Sequence, residues 1–383
     1  MNAKGSQSIL VLGGGIIGLS CAFEAAMRGY KVTLAEPGKL GGQASGAAAG
    51  MLAPFSENGE QPDDFFLLCL RSLKLYPDWI ASVEEHAGMS VEWMTLGSLH
   101  ILQHEADLLP AEGRIRWQNK WGARAELVEA SRLERLEPEL AKAAIGAVYS
   151  PAESHVYAPK LVEALAAACK RLGVVMIDHA GPVASLLRSD GGSRVRLEAW
   201  ADELQADRLV LCPGAWSGMY EERLGLRLPV HPIRGQICSF EPPAQAIKNG
   251  GGFLRHMVFS SQAYWVGKQN GSIVCGASED VAGYETAVTV PGIQRLRRAT
   301  DRWLPALGGA APVHSWAGLR PSTPDGMPLI GEVAVGGEWL MAAGHYRNGI
   351  LLSPVTAKLI VDRLDGRATE GTAPFAPSRF TSR

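Results

Sequence analysis

Six residues near the N-terminus, Gly13-Gly14-Gly15-Ile16-Ile17-Gly18, have the types and spacing of a turn that cradles phosphate. Gly13 permits the tight turn, Gly15 lets a pyrophosphate approach the backbone, and Gly18 lets the following helix close on the preceding strand. The first N–H groups of that helix then face the phosphates. Glu36, eighteen residues beyond Gly18, ends the next apolar run and is followed by Pro37. A carboxylate at that place accepts hydrogen bonds from an adenosine ribose. Turn and acid together describe a dinucleotide site, without separating nicotinamide from flavin.

Three further stretches narrow the chemistry. Gly41-Gly42-Gln43-Ala44-Ser45-Gly46-Ala47-Ala48-Ala49-Gly50-Met51 is almost entirely small residues. Such a backbone comes close to a bulky, flat ligand and donates N–H groups to it. The competing reading, a loose surface loop, conflicts with the apolar Met51-Leu52-Ala53. Gly344-His345-Tyr346-Arg347-Asn348-Gly349-Ile350 lies between a strand pattern and a helix pattern, so its backbone donors also converge on the ligand. A helix start there stabilises electron-rich reduced flavin. In Trp316-Ala317-Gly318-Leu319-Arg320-Pro321-Ser322-Thr323-Pro324-Asp325-Gly326, a lone arginine sits among apolar residues. Its guanidinium suits an anionic substrate, the alternative being an internal salt bridge with Asp325. Nine scattered histidines and no GxSxG elbow leave little sign of His-based catalysis. Were the substrate a neutral amine and the cofactor a flavin, hydride could pass directly from Cα to flavin N5 without a side-chain base, and the protein's task would be orientation.

The elements that position these residues follow from periodicity. Residues 8–12, 16–28 and 31–35 read as strand, helix and strand, a βαβ unit. Helices are expected over 65–87, 126–136, 159–172, 290–304 and 354–364, and strands over 174–177 and 339–343. Residues 195–197 and 207–211 read as a hairpin feeding back into the first sheet. Between 228 and 290 short alternating strands take over, with 263–266 and 272–275 flanking Asn270-Gly271. The tail from 366 is Pro/Thr/Ser/Arg-rich and reads as frayed at its end. The fold class is thus α/β with α+β character: a Rossmann-like nucleotide domain and an interleaved antiparallel-sheet substrate domain.

The 383 residues include 37 basic and 39 acidic side chains, leaving no surplus to bind a phosphate backbone or an anionic membrane. Nucleic acid and membrane are therefore not expected partners. Residues 9–26 are apolar, but three glycines and Glu24 interrupt them, which speaks against a signal or a span. Cys21, Cys69, Cys169, Cys212, Cys238 and Cys275 are widely spread, without metal-ligand spacing. They read as buried thiols of a reducing, cytoplasmic compartment.

The fingerprint, residues 45–54, Pro213-Gly214-Ala215-Trp216-Ser217, residues 316–331 and residues 344–354 together resemble motifs of one family. It is the glycine oxidase group, of thiamine-biosynthesis type, within the D-amino-acid oxidases, and the likeness covers nearly the whole chain. It implies an FAD-binding domain of about residues 1–85, 145–220 and 315–383, and a substrate domain of about 86–144 and 221–314. It further implies oxidation of glycine, sarcosine or small D-amino acids to an imine, with dioxygen returning as hydrogen peroxide. The imine hydrolyses to glyoxylate and ammonia or feeds thiazole synthesis, and the assembly is a homotetramer.

Carried over by position, Arg320, Tyr264, Arg347 and Met51 resemble substrate contacts, Tyr264 having the alternative of a cross-strand packing aromatic. Gly13, Gly15, Ile16, Ile17, Gly18, Glu36, Pro37, Ala44, Ser45, Ala49, Gly50, Met51, Val183, Gly214 and His345 through Leu351 (His345, Tyr346, Arg347, Asn348, Gly349, Ile350, Leu351) resemble FAD contacts. No cysteine occurs between Pro321 and Glu332 to match the covalent-flavin cysteine of monomeric sarcosine oxidases, so FAD is expected to be non-covalent. One departure stands out: Gly276-Ala277-Ser278-Glu279 places an acid where the family has methionine. A carboxylate near the pocket disfavours another carboxylate and leaves a basic or N-substituted amine open. Two other functions stay open as well: a dehydrogenase using a non-oxygen acceptor, and a flavin-holding subunit that does not turn over.

Overall fold

The strand Ser8–Leu12 is buried from Ile9 onward and alternates between two cores. Ile9 and Val11 face a layer of helices, while Leu10 and Leu12 face a small sheet on the other side. That double burial is what a central parallel strand requires. The protein is described here from a computed structural model covering residues 7–58, 62–189, 192–243, 252–333 and 338–380. The six-stranded sheet runs Leu329–Glu332, Trp339–Ala343, Arg208–Leu211, Ser8–Leu12, Lys31–Ala35, Val175–Ile177, all parallel except the first. Helices Ile16–Met27, Asp64–Ala87, Ala158–Arg171 and Gly349–Leu364 cover one face.

The second body is an eight-stranded sheet in the order His314–Ser322, His231–Phe240, Ile273–Gly276, Tyr264–Gly267, Met257–Phe259, Ser98–Leu102, Gly146–Ser150, Glu126–Glu129. It is antiparallel except where Met257–Phe259 meets Ser98–Leu102. The helix Val290–Trp303 lays Leu296, Ala299 and Trp303 on one face of it. This is a Rossmann-like α/β architecture with a second, mostly antiparallel sheet. Gly146–Ser150 and all but the first residue of His314–Ser322, which the resemblance assigns to the FAD-binding domain, are hydrogen-bonded into the larger sheet.

Two expectations are corrected. Residues 195–197 do not pair with Arg208–Leu211: they join Val183–Ser189 and Leu204–Ala206 in a three-stranded sheet that caps the parallel one. Glu126–Glu129 is an edge strand, with the helix confined to Ala130–Leu136, because Val128 is buried against Leu99, Ile101 and Ala147. Packing there overrides a helical charge pattern. The tail is anchored as far as it is described, Phe375 being buried in the helix-side core and Arg379 pairing with Asp325; its last three residues, where fraying is expected, lie outside the described residues. No helix among the described residues is long and apolar enough to cross a membrane.

Candidate active site

A cavity of about 700 Å³ lies beyond the C-terminal ends of Ser8–Leu12 and Lys31–Ala35, where ligands bind in open α/β sheets. The larger sheet closes its far side. Every expected cofactor and substrate residue lines it except Leu351. Leu351 is wholly buried in the helix core, with its carbonyl accepting a bond from the Ser72 hydroxyl, so the lining of the cavity ends at Ile350.

The donor set fits a flavin dinucleotide. A Cβ on Gly18 would lie 1.8 Å from the Gly13 carbonyl oxygen, and one on Gly13 would lie 2.3 Å from that of Cys212. The turn therefore closes only with glycine at both positions. Ser45 accepts from the Ile16 N–H at 2.9 Å, fixing the small-residue segment against the helix start. The Glu36 carboxylate accepts from the Gly14 and Gly38 N–H groups at 2.6 and 2.9 Å. Burial raises its pKa, while those two donors work against the rise. Helices Ile16–Met27 and Gly349–Leu364 both start at the cavity without an acid in the first turn, so both positive ends face it.

At the substrate end, cross-strand register sets the geometry. Arg320 stands opposite Ile233, and its guanidinium lies over Gly235, where a Cβ would come within 2.4 Å. Tyr264 stands opposite Gly276, and its hydroxyl occupies the space a Cβ there would take. Arg320 donates to the Ser278 carbonyl at 2.9 Å and forms no ion pair among the described residues. Asp325, the alternative partner, is held by Arg379 at 2.7 Å instead. Burial pushes the Tyr264 hydroxyl up to about 12 despite the nearby charges of Arg320 and Arg347, so it remains a donor.

Arg347 differs from expectation. It lines the cavity, but Glu57 grips it at 2.7 and 3.1 Å and Glu279 at 2.5 Å. Burial opposes the Arg347 charge, yet the acids outweigh it and raise its pKa. The unusual acid Glu279 is thereby matched: burial alone would raise its carboxyl, but Arg347 and Tyr346 hold it below the usual range. His345 is buried and bonds Thr356 at 3.0 Å, and burial pushes its pKa down to about 3. It is a neutral wall of the site.

Sequence reading missed Glu57, and it missed Lys268. Lys268 is buried, donating to the carbonyls of Ala49 and Val156 at 2.7 and 3.1 Å, and so ties the larger sheet to the small-residue loop. Burial pushes its pKa down to about 7, with Glu92 opposing. An unfolded lysine holds its proton to about pH 10.4. Between about 7 and 10 the unfolded chain therefore binds the extra proton, and the stability contributed by Lys268 rises with pH across that window. Urea midpoints of the wild type and Lys268→Met should thus diverge in favour of the wild type as pH rises from about 7 to 10. A pH-independent difference would show that the group does not titrate in this way.

Comparison with known proteins agrees with this geometry. The sequence model of the FAD dependent oxidoreductase family matches residues 8–363. A glycine oxidase of Geobacillus kaustophilus (strain HTA426) is 32% identical over 378 residues, covering 97% of this chain and 96% of that protein. A bifunctional ThiO/ThiG protein of Trichormus variabilis is 33% identical over 358 residues, 93% of this chain but 52% of its own length. The crystal structure of glycine oxidase from Geobacillus kaustophilus matches with a TM-score of 0.90 at 30% identity, covering 98% of this chain and 99% of that one.

Proposed function

Since the chain belongs to the glycine oxidase group of the FAD-dependent oxidoreductases, we propose that it oxidises glycine and other small amines to imines with dioxygen as acceptor. The observation that carries the substrate class is Arg320: a cation on the cavity wall, bonded to one carbonyl and paired with no acid among the described residues. Held by the Gly13 to Gly18 turn, Glu36 and the small-residue loop through Ser45, FAD would supply the two-electron redox chemistry that links the substrate to dioxygen, with hydrogen peroxide as the product.

The chain's own residues bind and orient. Arg320 takes the carboxylate, and Tyr264, protonated across the working pH range, donates a further hydrogen bond. His345 has its proton-accepting capacity suppressed by burial and is not a general base. The amine is therefore taken up neutral, and catalysis rests on alignment of its Cα. Met51 and Ile237 supply apolar wall that excludes water. The imine released hydrolyses to glyoxylate and ammonia or serves thiazole formation, a role supported by the ThiO/ThiG likeness. Six buried free cysteines support a cytoplasmic location. The homotetramer implied by resemblance completes the proposal.

The purified protein should be yellow, and glycine added without air should bleach it. Under air, glycine, sarcosine or D-alanine should yield peroxide. Bleaching without peroxide would move the reading to a dehydrogenase, and no bleaching by any of the three would end it.

A further inference from the structure

A second hollow of about 480 Å³ adjoins the main cavity, its apolar side formed by Phe65, Phe259 and Met327 and its polar side by Ser56, Asn58, Asp63 and Asp325. Glu57, Tyr346, Arg347 and Asn348 line both spaces, so they form the partition between them. The partition is held from two sides. Glu57 stands on the short helix Pro54–Glu57, whose Phe55 and Ser56 N–H groups both donate to the buried Glu153 carboxylate at 2.7 Å. It grips Arg347 through two bonds. Glu279 comes from the other body, in the loop after the strand Ile273–Gly276, and makes the third bond to Arg347. Tyr346, between the cavity residues His345 and Arg347, adopts a left-handed backbone at φ 45° and is tied to the Pro321 carbonyl at 2.9 Å. The hinge beside Arg347 is fixed, and the Glu279 bond is what joins the guanidinium to the substrate sheet.

We propose that Glu279 is a specificity-determining residue: by latching Arg347 to the substrate sheet it keeps the outer chamber closed to the substrate. With the latch open, a slot forms between Arg347 and residues 277–280, and the chamber becomes a subsite for an aromatic substituent on the substrate nitrogen. Phe65, Phe259 and Met327 supply the matching surface. Glu279 is about half exposed, its side chain retaining 47% of its accessible surface, so removing its charge leaves packing intact. The same exposure makes the latch sensitive to salt.

This rests on the amine-oxidation reading, and the experiment separates the two. With FAD-loaded wild type and Glu279→Gln, kcat/KM is measured for glycine and for N-benzylglycine. The ratio of the second to the first should rise at least tenfold in the variant. Raising sodium chloride from about 0.1 to 1 M, which shortens the screening length from about 10 to 3 Å, should raise the ratio in the wild type only. A ratio unmoved by the substitution would overturn the proposal. In parallel, acetate and 4-phenylbutanoate are titrated as non-reacting carboxylates, read by the shift in flavin absorbance. Glu279→Gln should tighten phenylbutanoate relative to acetate at least tenfold, and equal ratios would likewise overturn the latch. If neither amine is oxidised, the amine-oxidation reading falls, while the carboxylate ratio still decides for or against the latch.

Discussion

Arg320→Ala should raise the KM for glycine by about thirtyfold or more while the protein stays yellow. Removing one partner of a desolvated charge-assisted pair costs about 2–5 kcal/mol, and each ~1.4 kcal/mol is tenfold. The effect should fall on KM because Arg320 holds the carboxylate in ground state and transition state alike. Its single bond to the Ser278 carbonyl leaves the other donors of its fork free for a ligand. The Gly13 to Gly18 turn is untouched, so the ratio of flavin to protein absorbance should match that of the wild type. An unchanged KM would refute the assigned role.

Gly18→Ala should abolish flavin binding, with at least a hundredfold loss of affinity. The added methyl would lie 1.8 Å from the Gly13 carbonyl oxygen and 3.4 Å from the Cys212 side chain, both fixed by the central sheet. Overpacking a close-packed site costs about 1–3 kcal/mol or more, and the backbone that must give way is the turn meant to meet the pyrophosphate. The comparison variant is Gly113→Ala, in the helix Leu108–Lys120, where nothing lies within 4 Å of the added carbon. That change should stabilise the helix by roughly 0.5–1 kcal/mol and leave flavin content alone. Flavin fluorescence released on denaturation measures both, and a fully loaded Gly18→Ala protein would contradict the close approach.

What the chain discloses in its letters is what is local. Gly13 to Gly18 and Glu36 lie within one βαβ unit, so spacing alone predicts that they meet, and they do. The small-residue loop and the segment from His345 to Ile350 are continuous stretches and were legible for the same reason. Leu351, carried over by resemblance, stands where the chain passes from cavity wall to core. The ion pairs at the substrate end were not legible, because they are choices made in space. Arg347 finds Glu57 across 290 residues and Glu279 across 68, and Asp325 finds Arg379 across 54 in preference to Arg320 five residues away. Lys268 gave no signal either: a lysine after a strand reads as solvated until the fold brings the Ala49 and Val156 carbonyls to it. Tyr264 and Arg320 owe their places to strand register against Gly276 and Ile233, which single-sequence patterning does not determine.

The order of strands in the parallel sheet has a bearing on biosynthesis. Ser8–Leu12 has Lys31–Ala35 on one side almost as soon as both are made, but its other neighbour, Arg208–Leu211, is some two hundred positions downstream. Trp339–Ala343 and the helix Gly349–Leu364, which complete the wall on the parallel-sheet side, come near the end of the chain. A nascent chain halted midway through translation therefore carries the whole phosphate signature with only half a receptacle around it. Flavin loading is therefore expected to follow the emergence of the C-terminal helix, with apolar strand edges awaiting closure until then.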